Sequence, residues 1–171
     1  MVSIKNKSFT VTAEVVVPDS GAEGVIIAQG GRFGGWALYA RGGVATFVYN
    51  VLGIHEFPVV ATEPIPAGAH QVRAEFVYDG GGLGKGGTVT LYHDGKAVGS
   101  GKVAFTQAMV FSADETTDVG YESGTAVSSE LTPETSRFNG KIEWVQIDLG
   151  DEDNDHLIDP EERLKIVMAR Q

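Results

Sequence analysis

The sequence predicts an all-β fold, an antiparallel β-sandwich, from three observations. Over residues 70–78 apolar and polar side chains alternate. Val72, Ala74, Phe76 and Tyr78 fall on one face, and Gln71, Arg73 and Glu75 on the other, the period of a strand with one buried and one wet face. A second alternation follows, with Val89 and Leu91 against Thr88, Thr90 and Tyr92. Asp94-Gly95 then supplies the positive φ values of a two-residue hairpin turn, and the chain returns through Ala97 and Val98. Finally, the 23 glycines among 171 residues suit many short strands joined by tight turns.

The other elements follow in order. In residues 8–17, Phe9, Val11, Ala13, Val15 and Val17 share a face opposite Thr10, Thr12 and Glu14, and Pro18-Asp19-Ser20-Gly21 ends the run. Residues 24–29 read as a short apolar strand, 30–35 as a glycine-bracketed turn, and 36–40 as the next strand. Gly42-Gly43 turns the chain into a strand over 44–50. Residues 55–60 read as a weaker strand, placed at a sheet edge because Pro58 cannot donate to a ladder. Between 103 and 140 the regularity fades. Residues 109–111 can pack as a strand, and 112–137, rich in Ser, Thr, Glu and Gly, read as a long excursion with turns. Phe138-Asn139-Gly140 leads into a strand over 141–149. Beyond Pro160 the period changes, and Leu164, Val167 and Met168 fit one face of a short C-terminal α-helix. Asp159 is placed to cap it, with Pro160 at its first position.

One domain spanning 1–171 accounts for the length, and a chain this size buries roughly 70% of its unfolded surface without staples. The absence of cysteine excludes disulfides, thiolate metal sites and cysteine nucleophiles. A net charge of −10 argues against nucleic acid and anionic membrane surfaces as partners. No apolar run approaches the ~20 residues of a membrane span. The first residues, MVSIKNKSF, lack the apolar core of a leader peptide and run straight into a strand, so a domain within a longer protein is expected.

The sharpest chemical signal is the acidic run 151–162. A calcium loop of the EF-hand type places oxygen ligands at positions 1, 3 and 5, a backbone carbonyl at 7, a polar residue at 9 and a bidentate carboxylate at 12. Asp151, Asp153, Asp155, the Leu157 carbonyl, Asp159 and Glu162 fill those positions in register. His156 departs from the pattern, since position 6 normally holds glycine, and a strand instead of a helix precedes the loop. The spacing predicts a structural Ca²⁺ that pins the terminal helix; the competing account is a solvated acidic turn that only caps it.

Other signals are weaker. Gly80 to Gly87 is not a phosphate loop, because glycine follows Lys85 where Ser or Thr is required and strands flank both sides. Arg32, Phe33, Trp36 and Tyr39 cluster around a glycine turn and form a candidate platform for a sugar ring or an anion; filling the core is the competing use for such aromatics. Asp114, Glu115 and Asp118 offer three loop carboxylates, read as solvated charges in preference to a second cation site. No catalytic residue is assigned. His55, His70, His93 and His156 share no spacing, and no Gly-x-Ser-x-Gly elbow is present.

The segments AEGVIIAQGGRFGGWALY, YDGGGLGKGGTVTLYHDGKAVGSG, FSADETTDVG and FNGKIEWVQIDLG, with the terminal DHLIDPEERLKIVMARQ, resemble the C-terminal portion of long bacterial arylsulfatases over nearly the whole chain. The resemblance implies a concanavalin A-like (laminin G-like) jelly roll and a sulfatase catalytic domain as partner in the parent chain. Sulfatases of that family convert the cysteine of a Cys-x-Pro-x-Arg motif to formylglycine. This chain has no cysteine, so that reaction and its site residues do not carry over. The expected function is therefore a calcium-stabilised, non-catalytic accessory domain, with carbohydrate as a ligand by fold analogy. One alternative is a free-standing, lectin-like glycan-binding module using Arg32, Phe33, Trp36 and Tyr39. Another is a small glucanase-type hydrolase, which requires two carboxylates facing each other about 5–10 Å apart across a groove.

Overall fold

The computed structural model describes residues 2–111 and 116–150, and the acidic loop and helix expected at 151–171 lie outside them. Among the described residues, strands β1 (Phe9–Val17), β2 (Gly24–Gly31), β3 (Gly34–Arg41), β4 (Val44–Val51) and β5 (His55–Val60) come first. They are followed by β6 (Gly68–Tyr78), β7 (Lys85–His93), β8 (Lys96–Phe105), β9 (Thr117–Val119) and β10 (Lys141–Leu149). They form two five-stranded antiparallel sheets, ordered β10-β1-β6-β7-β8 and β5-β4-β3-β2-β9. The predicted sandwich is thus the observed fold, and β5, with Pro58, does lie at a sheet edge.

Alternation drives the stacking. Along β1 every second residue from Phe9 to Val17 is buried, and the intervening residues are half-buried. The inner faces meet in a core where the Phe9 ring lies 5.4 Å from Trp36 and 5.3 Å from Phe76, with Trp36 stacked on Phe47 at 6.0 Å. Trp36 is fully buried, and its indole Nε1 donates to Gln29 Oε1 at 3.0 Å, which satisfies the polar end of an otherwise apolar payload. The Asp94-Gly95 turn has φ values of 48° and 82°, as the hairpin requires.

Two expectations in the irregular stretch are corrected. Residues 109–111 form no strand; Phe111 is instead buried in a loop, edge-on to Tyr49 at 6.1 Å. The excursion also contains a strand, β9, which adds to β2 through Ile27↔Val119 and Gln29↔Thr117. Only three residues long, β9 has too few alternations to register as a period.

Candidate functional site

Strands β2, β3 and β4 are buried on both faces, because residues after β9 cross the outer face of their sheet. A bulge in β2 prepares that face. Val25 pairs with Tyr39 and Ile27 with Leu38, so Ile26 is the extra residue. Ile26 and Ile27 thereby both join the inner core, while Val25 and Ala28 face outward. There they pack with Ala37, Tyr39 and Val48 against Val127 and Leu131 of the crossing segment, a second and smaller core.

Polar bonds tie the crossing down at both ends. It leaves β9 through Gly120, whose N–H donates to the Ile26 carbonyl at 3.0 Å. It returns where the Val25 N–H donates to the Ser136 carbonyl at 2.7 Å, beside Gly24. Gly24 has φ +103°, and a side chain there would collide with the Arg137 carbonyl. Between these points Ser123 donates from both N and Oγ to Asp118 Oδ2, each at 2.8 Å. Glu122 lies beneath the segment, 5% exposed, with Oε1 accepting the Val127 N–H at 2.8 Å. Its Oε2 is buried with no hydrogen-bond partner. Burial pushes this carboxyl up to about 7; the Val127 N–H opposes the shift and the nearby Asp118 charge adds to it.

Alongside the crossing, towards the β4–β5 turn, lies a cleft of about 410 Å³. Its floor includes the apolar Val127 and Leu131, and polar groups from distant parts of the chain surround it. Asn50 Nδ2 donates to the Val127 carbonyl at 2.8 Å and to the Arg32 carbonyl at 3.1 Å, while Asn50 Oδ1 accepts the Gly53 N–H at 2.8 Å. The Arg32 N–H donates to Thr125 Oγ1 at 3.0 Å. Glu56 accepts from Ser129 at both oxygens, from N at 2.9 Å and from Oγ at 3.0 Å. These bonds use the backbone of Arg32 but leave its guanidinium without an ion pair or hydrogen bond to any described residue. Among the described residues that line the cleft, Glu56 carries the one carboxylate.

The sequence-predicted platform does not assemble as one surface. Arg32 lines the cleft, whereas Phe33, 62% exposed, is not one of its lining residues and lies next to it, its ring close to Gly53. Trp36 and Tyr39 are both buried and on opposite faces of β3, Trp36 in the inner core and Tyr39 in the outer one. An odd separation along a strand forces this, since successive side chains alternate. Tyr39 is committed to structure: its hydroxyl donates to Glu130 Oε2 at 2.9 Å and accepts from Ser128 Oγ at 3.2 Å, and burial pushes its pKa upward. Asn50, Glu56, Thr125 and Ser129 escaped the sequence reading. The one available signal was Asn50, a side-chain amide closing the apolar run VATFVYN.

The expected calcium ligands Asp151, Asp153, Asp155, Leu157, Asp159 and Glu162 lie outside the described residues, as do Asp114 and Glu115. Asp118 is described and is occupied by Ser123. Among the described residues no three His, Cys, Asp or Glu side chains converge as a metal site.

No protein-family model and no curated protein matches the chain. Among solved structures it is similar to the mouse laminin α1 chain, domains LG4-5, with 16% identity and a TM-score of 0.61 over 94% of this chain and 40% of that one. It is also similar to the native heptameric SAP-like pentraxin of Limulus polyphemus, with 13% identity and a TM-score of 0.51 over 86% of this chain and 66% of that one. The chain thus spans less than half the length of the laminin pair and about two thirds of the pentraxin. At these identities the likeness concerns architecture, and the chain is an all-β jelly roll of the kind found in laminin G and pentraxin domains.

Proposed function

We propose that this chain is a binding module: the non-catalytic, carbohydrate-binding accessory domain of an arylsulfatase-type protein. The cleft on the outer face of the second sheet carries the reading. It is large enough for one or two sugar rings and combines an apolar floor with fixed polar groups. Sugars need both, because their C–H faces pack on apolar surface while their hydroxyls bond to carboxylates, amides and hydroxyls. Phe33 supplies an exposed ring beside Gly53, and Glu56 and Asn50 are held in place by bonds of their own. A single lining carboxylate favours holding a glycan over hydrolysing it, since hydrolysis uses a pair.

The accessory role has separate support. Leu52, Ile54, Leu83, Met109 and Val110 are all more than half exposed, on loops at one end of the sandwich. Gln107 stitches two of these loops together, accepting the Leu52 N–H at 3.2 Å and donating to the Val110 carbonyl at 2.6 Å. In this reading those side chains pack on the sulfatase catalytic domain of the parent chain. A structural Ca²⁺ at Asp151, Asp153, Asp155, the Leu157 carbonyl, Asp159 and Glu162 completes the proposal, resting on ligand spacing.

The test is a glycan array probed with the full chain and with Ala126→Trp, which fills the cleft. Retention of a glycan by the wild type, lost in a variant with an unchanged melting temperature, supports the reading. Retention of none sinks it. The calcium arm is a thermal melt of the full chain with excess Ca²⁺ and then with chelator, since a ligand of the native state raises the midpoint. A rise abolished by Asp151→Ala supports the site, and no shift at millimolar Ca²⁺ overturns it.

A further inference from the structure

Resting on the carbohydrate-binding reading of the cleft, we infer that its ligand is a sugar bearing one anionic group, a sulfate or a carboxylate, with Arg32 as the charge partner. The first support is that Arg32 is the one basic residue among the described ones that line the cleft, and it has no ion pair. It shares that state with Lys7, Lys85 and Arg137 elsewhere, whereas other basic residues are paired. Arg41 lies 3.8 Å from Glu130, Lys96 is 2.9 Å from Glu63, Lys102 is 3.5 Å from Asp79 and Lys141 is 2.9 Å from Glu143. In a chain of net charge −10, carboxylates are plentiful, yet none of the described ones pairs with Arg32.

The second support is that the root of the Arg32 side chain is already fixed. Its N–H is held by Thr125 and its carbonyl by Asn50, so little main-chain order remains to be lost on binding. Gly53 approaches so closely that a Cβ there would sit 2.7 Å from the Arg32 carbonyl oxygen, which keeps any side chain at that position from crowding the arginine. A guanidinium offers a planar fork of donors that matches sulfate or carboxylate oxygens in pairs.

Glu56 narrows the class. It shares the cleft with Arg32 and is held there by Ser129, so its charge repels a ligand that is anionic throughout. It still has lone pairs to accept neutral hydroxyls. One anionic group beside Arg32, with hydroxyls towards Glu56, meets both requirements. Phe33 then lies against the sugar's apolar face.

The experiment takes the core sugar best retained on the array in neutral, monosulfated and uronic acid forms, and titrates each into the full chain by calorimetry. At least one charged form is expected to bind about tenfold more tightly than the neutral one, with the margin shrinking at high salt. The better of the two charged forms identifies the anion. Arg32→Ala should erase the margin between charged and neutral forms while leaving the melting temperature unchanged, and Arg32→Lys should restore part of it. Equal affinity of all three forms, or a margin that survives Arg32→Ala, overturns the inference and leaves the carbohydrate reading standing. Binding of no form overturns both.

Discussion

The two sheets treat their inner faces alike and their outer faces differently. The sheet containing β1, β6 and β7 leaves Thr12, Arg73, Glu75 and Thr90 at least partly in water, and its strands alternate between buried and wetter residues. The sheet containing β2, β3 and β4 has its outer face covered by residues 120–137, so those strands read as nearly continuous apolar runs. The candidate site lies on the covered side. A bare antiparallel sheet offers a ligand a gently twisted surface, whereas a segment laid across it makes a wall and hence a cleft. Cover and site are therefore one feature, and changes that loosen the crossing should act on the cleft.

The contrast can be tested from its largest expected effect downward. Phe47→Ala, in the core both sheets share, should cost about 3–5 kcal/mol in urea unfolding and lower the midpoint of the whole domain. Gly24→Ala forces a side chain into a positive-φ site against the Arg137 carbonyl, where the crossing rejoins β2. It should cost about 3 kcal/mol and release amide protection across 120–137 before elsewhere, and uniform loss of protection would argue against a separable cover.

Glu122 makes the cover pH-sensitive. Its folded value of about 7 lies above its ordinary 4.5, so the neutral form is the one that folding favours. The associated stability is whole below about pH 4.5 and is lost as pH rises through about 7, a change of at most about 3 kcal/mol. Glu122→Gln should flatten that slope in melts between pH 5 and 8, and an unchanged slope would place its origin elsewhere.

The outer faces can be compared directly. Val48→Ala under the cover should cost about 2 kcal/mol, and Thr90→Ala on the uncovered sheet less than about 0.5. Equal costs would deny the second core. The smallest effect is a gain. Leu52 has φ 57° in the β4–β5 turn beside the cleft, a conformation asparagine adopts more readily, so Leu52→Asn should raise stability by about 0.5 kcal/mol.

How far the sequence could be read depended on how local each feature was. The alternation of Phe9 through Val17 and of Val72 through Phe76 is written within single strands, and those strands formed. The parity that sends Trp36 inward and Tyr39 outward was written there too, though grouping them by chain proximity hid it. The cleft was not written locally. Ser129 meets Glu56 across 73 residues, and Asn50 meets Val127 across 77, with the intervening chain passing through the other sheet.

From sequence alone came the longer strands, though not β9, with the Asp94-Gly95 hairpin, the edge position of Pro58, the sandwich class and the exclusion of cysteine chemistry. A period of two, a positive φ, a missing N–H and a missing thiol are each properties of one residue or its near neighbours. Tertiary structure alone decided which sheet carries a cover, which aromatics reach solvent, and which polar groups share a cleft. Those outcomes depend on where distant segments come to rest, and a side chain's type says nothing of its partner until the fold has placed both.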